Sequence, residues 1–195
     1  DHLDIKSLKL IYKKFPNALF LVPLGDKELL KKNGIDNVKE FDWWESIMIS
    51  ETKFVFTPVQ HWSKRTLFDK NKSLWGGWWI EHLEKKFLHL GDTGYTKDFV
   101  DIKNRLGSPD IVAIPIGAYK PRYIMKNSHL NPEEAVKTFI DLDAKFAVAM
   151  HWGTFILSFE PVDEPPRKLE ESLLKYKVDI NRFKVLKHGE SVILN

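Results

Sequence analysis

Five residues of types that bind divalent cations are spread widely along the chain. Asp1 and His2 stand first, and His61, Asp92 and His151 follow at long intervals. Neutral imidazoles and carboxylates are the ligands that hold zinc and similar divalent ions in proteins. These residue types therefore make all five candidates for a metal site.

Three of the candidates share one local pattern, in which a short apolar run of β-favouring residues precedes the polar residue. The runs are residues 54–56 before His61, 87–90 before Asp92 and 147–150 before His151. Buried strands that each deliver a polar residue at their C-terminal ends build a site at one edge of a sheet. We therefore expect His61, Asp92 and His151 to converge.

The elements that must position these residues alternate between helix and strand, without a repeat or a linker rich in Gly or Ser. Helices are predicted over residues 5–15, 27–32 and 97–106, from Asn131-Pro132 onward, and from Pro165 to Tyr176. Strands are predicted at residues 19–24, 36–40, 45–50, 53–59, 76–82, 86–90, 110–115, 146–150, 182–187 and 191–194. Neighbouring strands often lie too close along the chain for βαβ crossovers. This spacing favours a mixed α/β layered domain, with helices outside packed sheets, over a doubly wound parallel sheet.

Length and charge narrow the class of protein. The 195 residues are enough for one domain, so residues 1–195 are predicted to fold as a single unit. Charge is balanced, with 30 basic and 27 acidic residues, which argues against nucleic acid as a partner. The sequence has no cysteine, which excludes a disulfide framework and a thiolate metal site. No apolar run is long enough to cross a membrane, so we expect a soluble protein that is cytoplasmic or peripheral to a membrane.

The seven tryptophans allow two interpretations. Large aromatic side chains commonly fill the core of a sheet. They can also form an apolar wall for a lipid-like or interfacial substrate. Trp62 is the candidate for the second role because it follows His61 directly.

Five motifs, in order, resemble the branch of the metallo-β-lactamase fold that contains N-acylphosphatidylethanolamine-hydrolysing phospholipase D and its bacterial relatives. They are QHWS at 60–63, LWGGW at 74–78, GDTGY at 91–95, IPIGAY at 114–119 and HWGTF at 151–155. Asp1-His2 is similar to the end of the His-x-His-x-Asp-His signature of that fold, whose first two histidines would precede Asp1. The likeness extends from Asp1 to about Pro166.

This resemblance implies an αβ/βα sandwich with two divalent metals, usually zinc, at the sheet edges. By it, Asp1, His2 and His151 would hold one metal, His61 would help to hold the other, and Asp92 would bridge them. Two such cations acidify water and stabilise the attacking and leaving oxygens of a phosphodiester. Because the two upstream histidines are absent from the sequence, we expect an N-terminally incomplete fold that holds at most one metal firmly and has little activity.

The resemblance also implies roles for residues that do not bind metal. Asp92 and His129 would be catalytic, with His129 orienting a phosphate or helping to protonate the leaving group; a structural loop histidine is the competing interpretation. Trp62, Tyr119 and Arg122 would bind substrate, and Arg122 would pair with a phosphate. The remaining histidines, to which we assign structural roles, are His82, His89 and His188.

Together these implications predict a metal-dependent phosphodiesterase of the phospholipase D type that acts on N-acylated phosphatidylethanolamine or a related lipid. A lactonase or another ester hydrolase of the same fold, similar to the L-ascorbate-6-phosphate lactonase group, stays open because fold does not fix substrate. A nuclease is disfavoured by the balanced charge. A non-catalytic fragment or scaffold is the alternative from another class. Peripheral membrane contact and a homodimer are also left open.

Overall fold

The computed structural model describes residues 2–193, so Asp1 lies outside the described residues. The helices are α1 (Ile5–Lys14), α2 (Lys27–Lys32), α3 (Asp98–Leu106), α4 (Arg122–Met125), α5 (Pro132–Asp141) and α6 (Glu164–Lys175). The strands are β1 (Phe20–Pro23), β2 (Val38–Phe41), β3 (Ser46–Ile49), β4 (Thr52–Thr57), β5 (Gly77–His82), β6 (Lys85–His89), β7 (Ile111–Pro115), β8 (Phe146–Met150) and β9 (Phe183–Lys184). Within residues 2–193, no helix is both long and apolar enough to span a bilayer.

Strands β3 to β9 form one mixed sheet in sequence order. Pairs from β3 to β6 are antiparallel, and pairs from β6 to β9 are parallel. Strands β1 and β2 form a separate two-stranded parallel sheet. The predicted mixed α/β architecture is therefore confirmed.

The direction of the strands explains why distant residues meet. Strand β4 is antiparallel to β5, and β5 is antiparallel to β6, so β4 runs in the same direction as β6, β7 and β8. The C-terminal ends of these four strands lie at the same edge of the sheet. His61, Asp92 and His151 follow β4, β6 and β8 respectively, so all three are delivered to that edge.

The main core lies between the sheet and helices α3, α5 and α6. Apolar residues of β7 and β8 pack against Val136 and Phe139 of α5, which are buried. On β5, Trp79 is fully buried and is paired in register with Leu88 of β6. Truncating a buried aromatic of this kind to alanine costs about 3–5 kcal/mol of folding free energy. This core fixes the strand ends that carry the candidate ligands.

A second, smaller core joins α1 and α2 to the two-stranded sheet. Val22, Leu30, Ile35 and Val38 are its buried residues. Two polar contacts connect this region to the long loop that follows β4: Leu74 N donates to Leu24 O at 2.8 Å, and Ser73 Oγ donates to Asp26 Oδ1 at 2.8 Å. The N-terminal segment is thereby held beside the edge of the main sheet.

Helix α5 begins where the sequence predicts. The Asn131 side chain accepts from Glu134 N at 2.8 Å, and the Glu134 carboxylate accepts from Asn131 N at 3.1 Å. This reciprocal capping box satisfies two backbone donors at the helix start. Pro132 occupies the first turn, where its missing N–H costs nothing.

One predicted strand does not form, and one observed helix was not predicted. No strand forms over residues 191–193, the described part of the strand predicted at 191–194, and Ile193 is 88% exposed there. A strand needs a partner and an apolar face to bury, and these residues have no neighbouring strand to bury them. Helix α4, between β7 and α5, was not predicted because its four residues are too short to show a period.

Candidate metal centre

Three imidazoles surround the carboxylate of Asp92. His2 Nε2 lies 2.8 Å from Asp92 Oδ2, His151 Nε2 lies 3.3 Å from Oδ1, and His61 Nε2 lies 4.0 Å from Oδ2. Ligand atoms of His2, Asp92 and His151 all lie within 4.8 Å of one another. The convergence predicted from the apolar runs is therefore present in the structure.

Several buried polar atoms of this cluster have no hydrogen-bond partner. They are Asp92 Oδ2, both ring nitrogens of His151, and His129 Nδ1. His2 Nε2 lies 2.8 Å from Oδ2, close enough for a protonated His2 ring to pair with the carboxylate. A buried polar atom left unpaired costs about 1–3 kcal/mol. Because imidazole and carboxylate are ligands of zinc and similar ions, this set fits a divalent cation.

His61 is held with one nitrogen facing Asp92. Its Nδ1 lies 2.9 Å from the carbonyl oxygen of Ser128, and a carbonyl only accepts, so Nδ1 carries the proton. The Nε2 lone pair is then free on the side of Asp92. Contacts of this kind orient the histidine ligands of metal sites. Burial lowers the pKa of His61, which favours the neutral ring that binds a metal.

The loops that carry His61 and Asp92 are tied to each other and to the segment before His129. Gly94 N donates to Gln60 O at 2.7 Å, and Gln60 N donates to Thr93 Oγ1 at 3.1 Å. The Gln60 side chain also donates to Asn127 O at 3.0 Å. Residues adjacent to the candidate ligands thus fix the separation of three loops.

His151 has an unusual backbone. Its φ of 58° lies in the left-handed region, which costs a residue with a side chain about 1–2 kcal/mol. The loop after β7 packs tightly on it, because a Cβ on Gly117 would lie 2.2 Å from the His151 carbonyl oxygen. Only glycine permits this approach, so Gly117 helps to hold His151 in its strained conformation.

The pKa shifts of the cluster act in different directions. Burial acts to raise the pKa of Asp92, but the neighbouring His2 and His151 outweigh it and hold the pKa at about 2. Contact with the Asp92 carboxylate raises the pKa of His2. Burial lowers the pKa of His129 to about 4. Asp92 is therefore anionic and His129 neutral under ordinary conditions.

His129 lies inside the histidine cluster. Its ring centroid is 5.2 Å from that of His61 and 5.6 Å from that of His151, with the His151 ring nearly parallel. The backbone at His129 is held by Arg122, whose Nη1 donates to the His129 carbonyl oxygen at 2.8 Å. His129 therefore contacts the candidate ligands, and its catalytic role stays a prediction.

The side chains of Tyr119 and Arg122 do not reach the cavity beside the candidate metal ligands. The Tyr119 hydroxyl donates to Glu164, and the Arg122 guanidinium is engaged by Glu134 and His129. Neither residue lines the cavity beside the cluster. Substrate binding was expected because both residues follow β7. The sequence does not show that the carboxylates of Glu164 and Glu134 engage their side chains instead.

A cavity of about 630 Å³ opens beside the cluster. Its walls include His2, His61, Asp92 and His151 together with Trp62, whose ring stacks on His61 at a centroid distance of 5.6 Å. This volume is in the range of small-molecule sites, about 300–1,000 Å³. Trp62 therefore forms part of the cavity wall, and its contact with substrate stays a prediction.

His89 also lines the cavity, although the sequence analysis assigns it a structural role. Its Nδ1 accepts from Gly91 N at 3.1 Å, which leaves Nε2 as the protonated nitrogen of a neutral ring. His82 and His188 instead contact Thr52 and Thr154, each at 2.9 Å, and line no part of this cavity. The position of His89 at the end of β6, three residues before Asp92, was the signal that could have identified it.

The mixed sheet and the histidine cluster at its edge are those of a metal-dependent hydrolase, and comparison with known sequences confirms this class. Residues 1–152 match the family described as the β-lactamase superfamily domain, and the chain belongs to this family of metal-dependent hydrolases with the metallo-β-lactamase fold. It is 43% identical over 177 residues to the mitochondrial N-acyl-phosphatidylethanolamine-hydrolyzing phospholipase D of Saccharomyces cerevisiae. It is 38% identical over 182 residues to N-acyl-phosphatidylethanolamine-hydrolyzing phospholipase D 1 of Caenorhabditis elegans.

These alignments cover 87% and 88% of the chain but 38% and 51% of the two relatives. The chain therefore spans about half or less of the length of these relatives. Among solved structures, Igni18, a metallo hydrolase of Ignicoccus hospitalis, superposes with a TM-score of 0.71 at 22% identity. That superposition covers 96% of this chain and 72% of the Igni18 chain, and it supports the fold alone.

Proposed function

We propose that this chain carries the metal-binding face of a phosphodiesterase of the phospholipase D type that acts on N-acylated phosphatidylethanolamine. The observation that supports this most directly is the cluster of His2, His61 and His151 around Asp92 at the wall of a cavity of about 630 Å³. Relatives named for this activity share 38–43% of aligned residues with the chain.

The proposed ligand set follows from the contacts of the Asp92 carboxylate. Oδ1 faces His151 while Oδ2 faces His2 and His61, so a single carboxylate can serve two cations. Because ligand atoms of His2, Asp92 and His151 lie within 4.8 Å of one another, we assign His2 and His151 to one ion. The family resemblance adds Asp1 to that ion and gives His61 to the other. Zinc ions held here would supply Lewis acidity that polarises a phosphoryl oxygen and lowers the pKa of water.

For the 195-residue chain we propose one firmly held ion. His2, Asp92 and His151 form one group of three ligand atoms within 4.8 Å. His61 and Asp92 alone would offer a second ion two protein ligands, and zinc sites ordinarily have three or four. Titration with a chromophoric zinc chelator measures this stoichiometry directly.

The remaining side chains orient the substrate rather than hold metal. His129 contacts the rings of His61 and His151 without lining the cavity, and in this proposal its N–H donates to a phosphoryl oxygen that reaches the cluster. Trp62 supplies an apolar wall for the lipid portion of the substrate. Arg122 acts through the backbone at His129 and does not itself contact the phosphate. Asp92 and His129 are thus the catalytic residues of this proposal.

The test is hydrolysis of N-acyl phosphatidylethanolamine by the zinc-loaded protein. Because the chain covers only part of its relatives, the assay compares the 195-residue chain with any longer natural form of the protein. We expect release of N-acylethanolamine together with phosphatidic acid, and its loss in Asp92→Asn. Opening of a lactone by the same samples, with no N-acylethanolamine released, would instead establish the lactonase.

A further inference from the structure

The long loop between β4 and β5 exposes two large apolar side chains side by side. Leu67 is 80% exposed and Phe68 is 86% exposed. Single exposed apolar residues are common on protein surfaces, but an adjacent pair at a loop tip offers a patch that a partner can cover. We call residues 63–73 the tip loop.

The tip loop is closed by its own hydrogen bonds, which hold the apolar pair outward. At its base, Asn71 N donates to Ser63 O at 2.7 Å. Nearer the tip, Asp69 Oδ1 accepts from the backbone N–H groups of Arg65 at 3.0 Å and Thr66 at 2.7 Å. Because these bonds fix the backbone on both sides of Leu67-Phe68, exposure of the pair is a property of the closed loop.

Cations surround the apolar pair. Lys64, Arg65, Lys70 and Lys72 are all exposed, and Asp69 is the one acidic residue between them. The carboxylate of Asp69 already serves the loop backbone. An apolar tip ringed by basic residues is complementary to an anionic lipid surface, whose acyl region accepts the tip and whose phosphates attract the cations.

The tip loop also forms part of the cavity wall. Ser63, Lys64, Arg65, Asp69 and Lys72 line the same cavity as the metal cluster. Arg65 further donates to the carbonyl of Leu3, the neighbour of His2. A surface that contacts this loop therefore lies next to the entrance of the cavity.

We propose that the tip loop is a docking element for anionic bilayers, with Leu67 and Phe68 entering the acyl region and the flanking cations contacting lipid phosphates. The inference rests on the proposed function, since it brings a phospholipid headgroup to the cavity. It adds which residues contact the bilayer and that these residues favour anionic lipid.

Cosedimentation with vesicles tests the proposal. The 195-residue chain is mixed with vesicles of phosphatidylcholine alone and with vesicles that also contain phosphatidylglycerol. We expect binding to the anionic vesicles to be stronger by about tenfold, and to weaken as salt is added. The variant Leu67→Ser/Phe68→Ser should lose about tenfold in binding, and Lys64→Gln/Lys70→Gln should lose the preference for anionic lipid.

A second exposed apolar segment provides the control. Phe155, Ile156, Leu157 and Phe159 are 74%, 83%, 60% and 81% exposed, and residues 151–163 contain no Lys or Arg. If the cations of the tip loop decide where the bilayer docks, Phe155→Ser/Ile156→Ser should bind anionic vesicles like the unaltered chain. Equal binding by Leu67→Ser/Phe68→Ser and the unaltered chain would overturn the proposal. So would loss of binding in the Phe155→Ser/Ile156→Ser control alone.

A water-soluble phosphodiester separates this proposal from the proposed function. Turnover of that substrate should be unchanged in Leu67→Ser/Phe68→Ser while turnover on vesicles falls. An equal loss on both substrates would contradict a docking role. If neither the 195-residue chain nor any longer natural form turns over either substrate, the proposed function fails, and the vesicle-binding result alone decides for or against the loop.

Discussion

Arg122 and Glu134 form a forked ion pair in which Arg122 Nη2 lies 2.9 Å and 2.7 Å from the two carboxylate oxygens of Glu134. The same guanidinium donates through Nη1 to the carbonyl oxygen of His129 at 2.8 Å. Glu134 is also the capping-box residue of α5. One carboxylate therefore joins the start of α5 to the backbone beside the metal cluster.

This arrangement predicts energetic coupling between Arg122 and Glu134. In a double-mutant cycle with Arg122→Ala and Glu134→Ala, the free energy of unfolding should show a coupling of about 1 kcal/mol, because one guanidinium nitrogen contacts both carboxylate oxygens but the pair is partly exposed. Urea unfolding measures all four proteins. Strictly additive losses, combined with a rise in KM for Arg122→Ala alone, would restore the phosphate-binding role expected from sequence.

Asp92→Asn should abolish firm zinc binding. The amide keeps the shape of the side chain but removes the charge and one acceptor oxygen, so we expect affinity to fall by at least about 100-fold. Competition with a chromophoric chelator gives the dissociation constant. The matched control is Asp143→Asn, an exposed carboxylate paired with Lys103, which should bind zinc as the unaltered chain does. Equal affinity in all three proteins would remove Asp92 from the site.

Gly117→Ala should damage the metal centre without touching a ligand. The new Cβ would lie 2.2 Å from the His151 carbonyl oxygen, so the loop or His151 must move. We expect a loss of about 1–3 kcal/mol in stability, together with weaker zinc binding. Gly189→Ala is the control, because no atom lies within 4 Å of its Cβ and its cost is backbone strain alone. Thermal unfolding with and without zinc distinguishes the two.

Glu133 should contribute to stability above about pH 4.5 and lose that contribution in acid. Its hydrogen bond from Lys175, reinforced by Tyr176, lowers its pKa to about 2. A depressed folded-state pKa stabilises the fold above the unfolded value near 4.5, and that contribution is lost as the pH falls toward about 2. The side chain is 37% exposed, so the effect should be less than about 1 kcal/mol. The difference in unfolding free energy between the unaltered chain and Glu133→Gln should therefore shrink across this range; a constant difference would contradict the assignment.

The convergence of His61, Asp92 and His151 could be predicted because each follows an apolar strand, and the strand directions then bring the three ends together. Trp79 confirms the core interpretation of the aromatic residues, whereas Trp62 lines the cavity and its contact with substrate stays a prediction. The assignment of the whole chain to a single domain stays a prediction.

Other features could not be derived from the chain alone. The oxygen that orients His61 is the backbone carbonyl of Ser128. Every residue has such a carbonyl, so the sequence does not show which one His61 contacts. Glu134 is recognisable as a helix-start residue, but its second role with Arg122 depends on how the loop before α5 folds back. His89 was assigned a structural role because the sequence does not show which face of β6 borders the cavity.

Anomalous scattering at the zinc absorption edge, from crystals of the zinc-loaded chain, tests the central claim most directly. We predict a peak bounded by His2, Asp92 and His151, at about 2.0–2.2 Å from their ligand atoms. A zinc peak found only elsewhere on the molecule, with Asp92 and its three histidines contacting no ion, would contradict the account.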